Sequence, residues 1–387
     1  MKRAIFLFNH DAPHQVAHLA GVVAAFARAH PATETCIAYA DASLRDVIAR
    51  LLPDAAAPNL HWHELALPGA ADALLAPLNR LLPARRLARL WHHRHWFASG
   101  SILVSTERTC LKLQNWLGPR APLFAIVPHG AGDRNVSNHP DFAKFDLLLV
   151  AGQKVVDQML RRGIAAARLH IIGYPKFDTV VQDSTARWFD NDRPTFVYNP
   201  HFDPHLSSWF RFGPDLLRWF AGRDGQGFNL IFAPHIMLFR KKVHISLEYR
   251  RLAVRPDVPK GLARATNIHI DTGSDALIDM RYMEAADGYI GDMSSQIYEF
   301  LRRPRAAFFL NVRGAAAARE PEERHLHWRA GPVADALPAL TARLPAWQQV
   351  AAEYRAAQEH LFAYTFEQTA TPAPDRAAAV LARAIGL

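Results

Sequence analysis

The 387-residue chain has little cysteine and no long hydrophobic run. Its two cysteines, Cys36 and Cys110, are too few for a disulfide framework, which is typical of a reducing cytoplasm. No apolar stretch approaches the roughly 20 residues that a membrane-spanning helix needs. The short apolar run at the N-terminus ends at Asn9 and His10 without a small-residue cleavage site, which indicates a first β-strand and not a signal peptide. We therefore expect a cytoplasmic protein.

Motifs of several common functional classes are also missing. The sequence contains no zinc-finger or RNP-type pattern, no Walker loop, no repeat of solenoid period and no low-complexity tract. By contrast, 45 Lys and Arg against 36 Asp and Glu give a net charge of +9 and a pI near 9.7. Excess positive charge favours an anionic partner, which can be a nucleotide, an anionic lipid or a nucleic acid. Since nucleic-acid motifs are missing, we rank nucleic acid last and expect none.

The first half of the chain alternates β-rich runs with helical segments. Strands are predicted over residues 4–8, 35–39, 61–65, 102–105, 123–127, 147–151 and 169–172. Helices are predicted over 14–30 and 44–52, with further helical segments between the later strands. Such alternation is typical of a parallel, doubly wound sheet that is covered on both faces.

A second alternating series follows a segment of turn residues and charge, 173–194, which we interpret as an interdomain connection. Its strands are predicted over 196–199, 230–233, 268–271, 288–291 and 306–310, with a basic loop before the third. The sequence therefore predicts an α/β protein with two Rossmann-like domains facing each other across a cleft. We assign 1–185 to the first domain, 186–345 to the second, and 346–387 to a helical tail that packs back on the domains.

The stretch 284–311 reads as a βαβ unit with polar residues in its first strand-to-helix turn. Asp292, Ser294 and Ser295 occupy this turn, ahead of a helix predicted over 294–302. Small hydroxyl residues at a helix start leave backbone N–H groups available to an anion such as phosphate. Glu299 lies one turn after Ser295 on the same face, where its carboxylate can bind a ribose hydroxyl. The alternative is an ordinary helix start. In either case we expect Asp292 to cap the helix and the serines to be the better phosphate ligands.

Four histidines directly follow predicted strands: His10, His129, His201 and His235. In doubly wound folds, ligands bind beyond the carboxyl ends of the strands. Each histidine taken singly is better explained as a satisfied polar residue, but four at strand ends in both predicted domains indicate a site.

Positive charge and glycine accompany these histidines. His129 begins a short glycine motif in which Gly130 permits close backbone approach and Arg134 supplies charge, although a plain glycine turn is the alternative. Lys176 lies beside a rigid turn, and Arg281 lies on the helix before the serine turn. Phosphoryl transfer needs mainly a base for the attacking hydroxyl and fixed positive charge for the phosphate oxygens.

Two other patterns have weaker interpretations. The segment 80–97 interleaves arginines with two tryptophans, which suits an anionic membrane surface such as the inner face of the plasma membrane, but an ordinary packed amphipathic helix is favoured. Its three histidines lack partner ligands, and Asp190, Asn191 and Asp192 fit a turn better than a metal-binding DxD motif. We therefore expect no metal and no cofactor.

Four motifs, in this order, resemble the CDP-glycerol glycerophosphotransferase family. They are PHGAGDR, GYPKFD, APHI and ADGYIGDMSSQIYEFLRRP, and the resemblance covers mainly residues 121–311. The resemblance implies a GT-B fold with an N-terminal acceptor domain and a C-terminal nucleotide-donor domain. It also implies a teichoic-acid-type transferase acting on CDP-linked polyols. Since the chain lacks the extended N-terminal region of the large polymerases, we expect single addition and not processive polymerisation.

The same resemblance implies that His129 and His235 are the catalytic residues. It also implies that Ser294 and Ser295 bind the pyrophosphate of the donor. The proline precedes His235 here, whereas the family pattern has it following. Two other functions stay open. One is a nucleotide-sugar glycosyltransferase or epimerase on the same fold, and the other is a non-catalytic, membrane-associated scaffold.

Overall fold

The computed structural model describes residues 2–10, 13–52, 57–78, 83–133, 139–180, 187–246 and 249–387. The chain divides into two compact units. Unit 1 comprises 1–129, 136–180 and 364–387, and unit 2 comprises 130–135 and 181–363. The glycine motif after His129 therefore belongs to unit 2, and the end of the chain returns to unit 1.

Unit 1 contains a seven-stranded, fully parallel sheet. Its strands are β1 Arg3–Phe8, β2 Glu34–Tyr39, β3 Leu60–Glu64, β4 Ile102–Ser105, β5 Leu123–Ile126, β6 Leu147–Val150 and β7 Leu169–Ile171. They are arranged in the order β3-β2-β1-β4-β5-β6-β7. Each of the seven predicted strands is confirmed within a residue or two of its ends.

Helices cover both faces of this sheet. They are α1 Ala20–Ala29, α2 Ala42–Leu51, α3 Gly69–Leu78, α4 Ala84–His92, α5 Arg94–Phe97, α6 Lys112–Leu117, α7 Gln153–Leu160 and α8 Lys176–Thr179. The apolar strand β1 shows why both faces are buried. Phe6 and Phe8 pack into one core cluster and Ile5 and Leu7 into another, on opposite faces of the strand.

Unit 2 contains a six-stranded parallel sheet and a separate two-stranded antiparallel ribbon. Its strands are β8 Thr195–Asn199, β9 Asn229–Phe232, β10 Val243–Ser246, β11 Arg251–Val254, β12 Ile268–Ile270, β13 Gly288–Gly291, β14 Ala306–Leu310 and β15 Val333–Ala334. The large sheet has the order β12-β9-β8-β13-β14-β15, and β10 pairs with β11 in the ribbon.

The helices of unit 2 are short apart from the last. They are α9 Gly213–Ala221, α10 Arg281–Ala285, α11 Gln296–Phe300, α12 Leu337–Thr341 and α13 Trp347–Thr365. A final helix, α14 Ala373–Ala384, packs in the core of unit 1 through Ala377 and Leu381. None of the helices in the described ranges is long and apolar enough to cross a membrane.

The structure confirms two parallel-sheet α/β units and corrects three local predictions. The segment predicted as one helix over 14–30 is a 3-10 helix, Pro13–His18, followed by α1. The helix predicted over 294–302 is reduced to the five residues of α11. The segment predicted to be a basic loop contains the ribbon β10–β11. Its strands are only four residues long and have basic residues beside them, so the alternation typical of a strand is difficult to recognise.

Candidate functional site

Each sheet has one point where the strand order reverses direction, and candidate site residues lie there. In unit 1 this point lies between β1 and β4, and His10 follows β1. In unit 2 it lies between β8 and β13. His201 follows β8 and Asp292 follows β13. Since open parallel sheets bind ligands beyond the carboxyl ends of strands at such points, each unit has a candidate ligand site.

Asp292 organises the strand ends of unit 2. Its carboxylate accepts hydrogen bonds from the backbone N–H of His201 at 2.9 Å and from the N–H and hydroxyl of Ser208 at 2.5 and 2.6 Å. The prediction that Asp292 caps the following helix is wrong, since the N-cap of α11 is Ser295. Burial raises the pKa of Asp292 to about 6, although these hydrogen bonds lower it. Asp292 therefore connects the ends of β8 and β13 and positions the serine turn.

An amide network holds α11 on this edge. The Asn199 side chain donates to the Ala233 carbonyl at 2.6 Å and to the Gln296 side-chain oxygen at 2.7 Å. Gln296 in turn donates to the Leu277 carbonyl at 2.9 Å. The end of β8 and the segments that follow β9, β12 and β13 are thus connected by buried or half-buried hydrogen bonds.

His201 and His235 have the same hydrogen-bonding pattern in unit 2. The Nδ1 atom of His201 accepts from the Asp203 N–H at 3.0 Å, and that of His235 accepts from the Met237 N–H at 3.2 Å. In the neutral ring the proton must then reside on Nε2, which makes Nε2 a donor. The two rings lie with centroids 5.4 Å apart. Unit 2 therefore brings together two imidazole N–H donors.

The glycine motif packs directly on the serine turn. A Cβ atom at Gly130 would lie 3.3 Å from the Ser295 hydroxyl oxygen, and one at Gly132 would lie 3.0 Å from the Ser295 Cβ. Gly130 also has a φ of +80°, which side-chain-bearing residues rarely adopt. Ser294 is buried and Ser295 is partly exposed. Both glycines are thus explained by close approach to the serine turn, and Arg134 lies outside the described residues.

Asp133 anchors this glycine loop from the other side. Its carboxylate accepts a hydrogen bond from the Tyr298 hydroxyl on α11, from the His327 N–H at 3.0 Å and from the His327 ring at 2.9 Å. The side chains of Asp133 and His327 are almost fully buried, so this pair is shielded from solvent. Sequence analysis missed the pair because the partners are 194 residues apart. It fixes the position of the loop relative to α11.

His129 has the opposite hydrogen-bonding pattern in unit 1. Its Nδ1 lies 3.1 Å from the Thr106 carbonyl oxygen, which can only accept, so Nδ1 carries the proton. Its Nε2 lies 3.4 Å from the amide nitrogen of Gln15, which can only donate. The Gln15 amide is itself oriented by the Thr106 hydroxyl at 2.9 Å. The neutral His129 ring therefore has its lone pair at Nε2, where it accepts a long hydrogen bond from the Gln15 amide and where a general base would take up a proton.

His10 and His18 are buried close to His129 in unit 1. Burial, together with the charges of Arg86 and His129, lowers the pKa of His10 to about 3. Burial, with a smaller contribution from Lys176, lowers the pKa of His18 well below its ordinary value. Both rings are therefore neutral at physiological pH and do not supply positive charge to a phosphate.

The predicted cations Lys176 and Arg281 belong to different units. Lys176 is buried in unit 1, whereas Arg281 belongs to unit 2 and pairs with Asp279 at 2.6 Å. Glu299 is buried on α11, within the same short helix that follows Ser295. Unit 2 thus brings together His201, His235, Asp292 and the serine turn, while His10, His129 and Lys176 belong to unit 1.

The arginine- and tryptophan-rich segment is integrated into unit 1. Arg86 forms two hydrogen bonds of 3.0 and 3.1 Å with Glu107, which follows β4. Trp96 stacks on His63 with centroids 3.8 Å apart, while Trp91 stays half exposed beneath Arg94. These contacts favour the interpretation as a packed amphipathic helix.

No group of three potential ligands suitable for a metal ion occurs among the residues that the structure describes. The Asn191 side chain accepts from the Arg193 N–H at 3.0 Å and from the Asn229 amide at 2.9 Å. Residues 190–192 therefore form a turn that is anchored to the start of β9.

The similarity of this chain to known proteins is in structure and not in sequence. No family model matches it, and no curated protein matches it in sequence. A structure of the wall teichoic acid polymerase TagF matches with a TM-score of 0.62 and 13% identity, over 99% of this chain and 89% of that chain. A TagF variant soaked with CDPG matches with a TM-score of 0.62 and 14% identity, over 99% and 88%.

Epimerases match to a similar degree. A putative UDP-N-acetylglucosamine 2-epimerase from Listeria monocytogenes has a TM-score of 0.58 and 13% identity, over 100% of this chain and 96% of that chain. A second UDP-N-acetylglucosamine 2-epimerase structure has a TM-score of 0.59 and 11% identity, over 98% of this chain and 93% of that chain. The chain is therefore similar to two groups of proteins with different activities, and it has the GT-B fold, with two parallel-sheet units.

Proposed function

We propose that the protein is a transferase that moves a polyol phosphate, such as glycerol phosphate, from a CDP-linked donor to a hydroxyl group of a glycan or glycolipid. The main support for this proposal is that the histidines at the strand ends differ in which ring nitrogen carries the proton. His129 presents a lone pair, while His201 and His235 present N–H groups. Transfer of a phosphate to a hydroxyl uses both, a base for the hydroxyl and donors for the phosphate oxygens.

In this proposal unit 2 binds the donor. The hydroxyl groups of Ser294 and Ser295 and the backbone of their turn hold the pyrophosphate, and Asp292 positions the turn from beneath. The N–H groups of His201 and His235 donate to phosphate oxygens. The carboxylate of Glu299 binds the ribose.

His129 acts as the base in the proposed reaction. Its Nε2 takes the proton of the acceptor hydroxyl as the hydroxyl oxygen attacks the phosphorus that carries the polyol. A new P–O bond to the acceptor forms, the P–O–P bridge to CMP breaks, and CMP leaves with the bridging oxygen. In the sequence His129 immediately precedes Gly130, which packs on Ser295 within unit 2.

Positive charge offsets the charge of the donor in the proposed complex. Lys176, Arg281 and Arg134 are the candidate cations, and Arg281 would exchange its partner Asp279 for phosphate. Cationic side chains then neutralise the charge on the phosphate oxygens, as a divalent metal does in many phosphoryl transferases. We expect the protein to act in the cytoplasm, in the synthesis of a cell-surface polysaccharide.

A second candidate is a nucleotide-sugar glycosyltransferase or epimerase. Its support is the similarity to epimerase structures at TM-scores of 0.58 and 0.59. This alternative uses the same fold and places the donor diphosphate in unit 2, but it requires a UDP-linked sugar. Donor identity therefore distinguishes the two candidates.

Calorimetric titration with CDP, CMP and UDP tests the proposal. We expect CDP to bind more tightly than UDP, and a Ser294→Ala/Ser295→Ala variant to lose at least tenfold in affinity. Thr341→Ala, which removes a hydroxyl on α12, is the matched control and should bind CDP like the wild type. Preference for UDP, or turnover of a UDP-sugar with no response to CDP-glycerol, would refute the proposal.

Turnover measurements test the role of the base. With CDP-glycerol and a hydroxyl acceptor, His129→Ala should lower kcat by about 100-fold or more while leaving CDP affinity nearly unchanged. Full activity of this variant would exclude His129 as the base. Absence of turnover in the wild type would instead favour a non-catalytic scaffold.

A further inference from the structure

The ribbon β10–β11 carries an exposed aliphatic surface. Val243 pairs with Val254, and Ile245 pairs with Leu252 across the ribbon. Val243 is 45% exposed and Val254 is 60% exposed, while Ile245 and Leu252 are 61% and 67% exposed. Side chains directly opposite in an antiparallel pair lie on the same face. The four side chains therefore form one outward-facing aliphatic patch.

The inner face of the ribbon is fixed to unit 2. The His244 ring contacts the carbonyl oxygens of Leu238 and Lys241 at 2.9 and 3.0 Å, and the Ser246 hydroxyl donates to the Asp203 carboxylate at 2.7 Å. Both inner side chains are buried. Since a slip of one residue would exchange the two faces, these contacts keep the aliphatic face outward.

Exposed cations flank the patch at one end of each strand. They are Arg240, Lys241 and Lys242 before β10, and Arg250 before β11. Lys242 is paired with Asp257 at 2.6 Å. The surface thus combines aliphatic side chains with a surplus of positive charge.

The positive charge beside the aliphatic patch favours an anionic partner over a second copy of the chain. A second copy seated symmetrically on the patch would bring the flanking cations of two chains together, which is unfavourable. An anionic lipid surface attracts the cations and accepts aliphatic side chains at the boundary between headgroups and acyl chains. We propose that the outer face of the ribbon β10–β11 docks the protein on an anionic membrane surface.

This surface differs from the arginine- and tryptophan-rich segment. In that segment Arg85 and Arg86 pair with Asp72 and Glu107, whereas the ribbon leaves four aliphatic side chains facing solvent. The proposal does not depend on the nature of the nucleotide donor. It would, however, bring a transferase to acceptors that are embedded in a membrane.

Cosedimentation of the full-length protein with lipid vesicles tests the proposal. We expect binding to vesicles of phosphatidylcholine mixed with phosphatidylglycerol, and little binding to phosphatidylcholine alone. Ile245→Ser/Leu252→Ser should lower the partition coefficient by about tenfold or more, because two buried aliphatic groups are lost. Lys241→Ala/Arg250→Ala should lower it about fivefold for each cation removed, and added salt should have a similar effect.

The matched control is Trp91→Ala/Arg94→Ala, which alters the other basic aromatic surface. We expect this variant to bind vesicles like the wild type, and all variants to bind nucleotide as the wild type does. The proposal would be overturned if the wild type does not bind anionic vesicles, or if the ribbon variants bind them unchanged. Light scattering that shows a wild-type dimer, converted to a monomer by the ribbon substitutions without loss of vesicle binding, would instead identify an interface between copies.

Discussion

Burial of His10 predicts a specific pH dependence of the stability of the protein. Burial lowers the pKa of His10 from 6.5 to about 3, and neither ring nitrogen has a hydrogen-bond partner among the described residues. At pH values from 6.5 down to 3, the unfolded chain binds a proton at this residue and the folded chain does not. The contribution of His10 to stability is therefore complete above pH 6.5 and is lost as the pH falls.

The magnitude follows from the same shift. Each pH unit within this window changes the free energy of unfolding by about 1.4 kcal/mol. Because half of the unfolded chains are already protonated at pH 6.5, the wild type should lose about 2.3 kcal/mol between pH 6.5 and pH 4.5 relative to a His10→Gln variant, whose side chain does not titrate. The variant can be less stable at pH 6.5, yet the difference between the two proteins must become smaller or reverse on acidification.

Two measurements check this prediction. Urea unfolding of the wild type and of His10→Gln, monitored at pH 6.5 and pH 4.5, gives the change in their difference, and His61→Gln on the exposed side of β3 controls for replacing a histidine by glutamine. Histidine-selective NMR, with the His10 signal assigned from its disappearance in the variant, gives the pKa directly. A stability difference that is the same at both pH values, or a His10 signal that titrates near pH 6.5, would refute the reasoning.

Four further substitutions test the contacts of the candidate site residues. Gly132→Ala places a methyl group 3.0 Å from the Ser295 Cβ and should weaken CDP binding by about tenfold, as measured by calorimetry, with a change in stability of about 1 kcal/mol or less. Asp133→Asn should lower the free energy of unfolding by about 2 kcal/mol because the amide cannot accept all three hydrogen bonds of the buried carboxylate, and Tyr298→Phe should cost about 1 kcal/mol. The double variant should cost less than the sum of the two, and strict additivity in denaturant unfolding would show that the contact contributes nothing. Gln15→Ala should lower kcat about tenfold at unchanged KM by releasing the proposed base, and an equal rise in KM would contradict a role in orientation.

The alternation of strands and helices along the chain was sufficient to predict the α/β architecture, and it showed which polar residues follow strands. Strands such as β1 are short, apolar and rich in residues that pack on both faces, and they alternate with helical segments. Because the carboxyl ends of parallel strands meet at one edge, the positions of His10, His129, His201 and His235 could be inferred from the chain alone. The motif resemblance agrees with the fold that solved structures share with this chain.

The contacts of the polar residues could not be predicted from the sequence, because their partners come from distant segments of the chain. Asp292 accepts from Ser208, 84 residues away, and not from the helix that follows it, since a buried carboxylate bonds whichever donors the fold brings near. Asp133 and His327 are 194 residues apart, and no local pattern marks them as partners. The aliphatic face of β10–β11 was also hidden, because alternation over four residues with basic neighbours resembles a loop until the pairing partner is known. Local patterns determine which elements form, whereas the roles of side chains depend on contacts that exist only after distant segments have packed together.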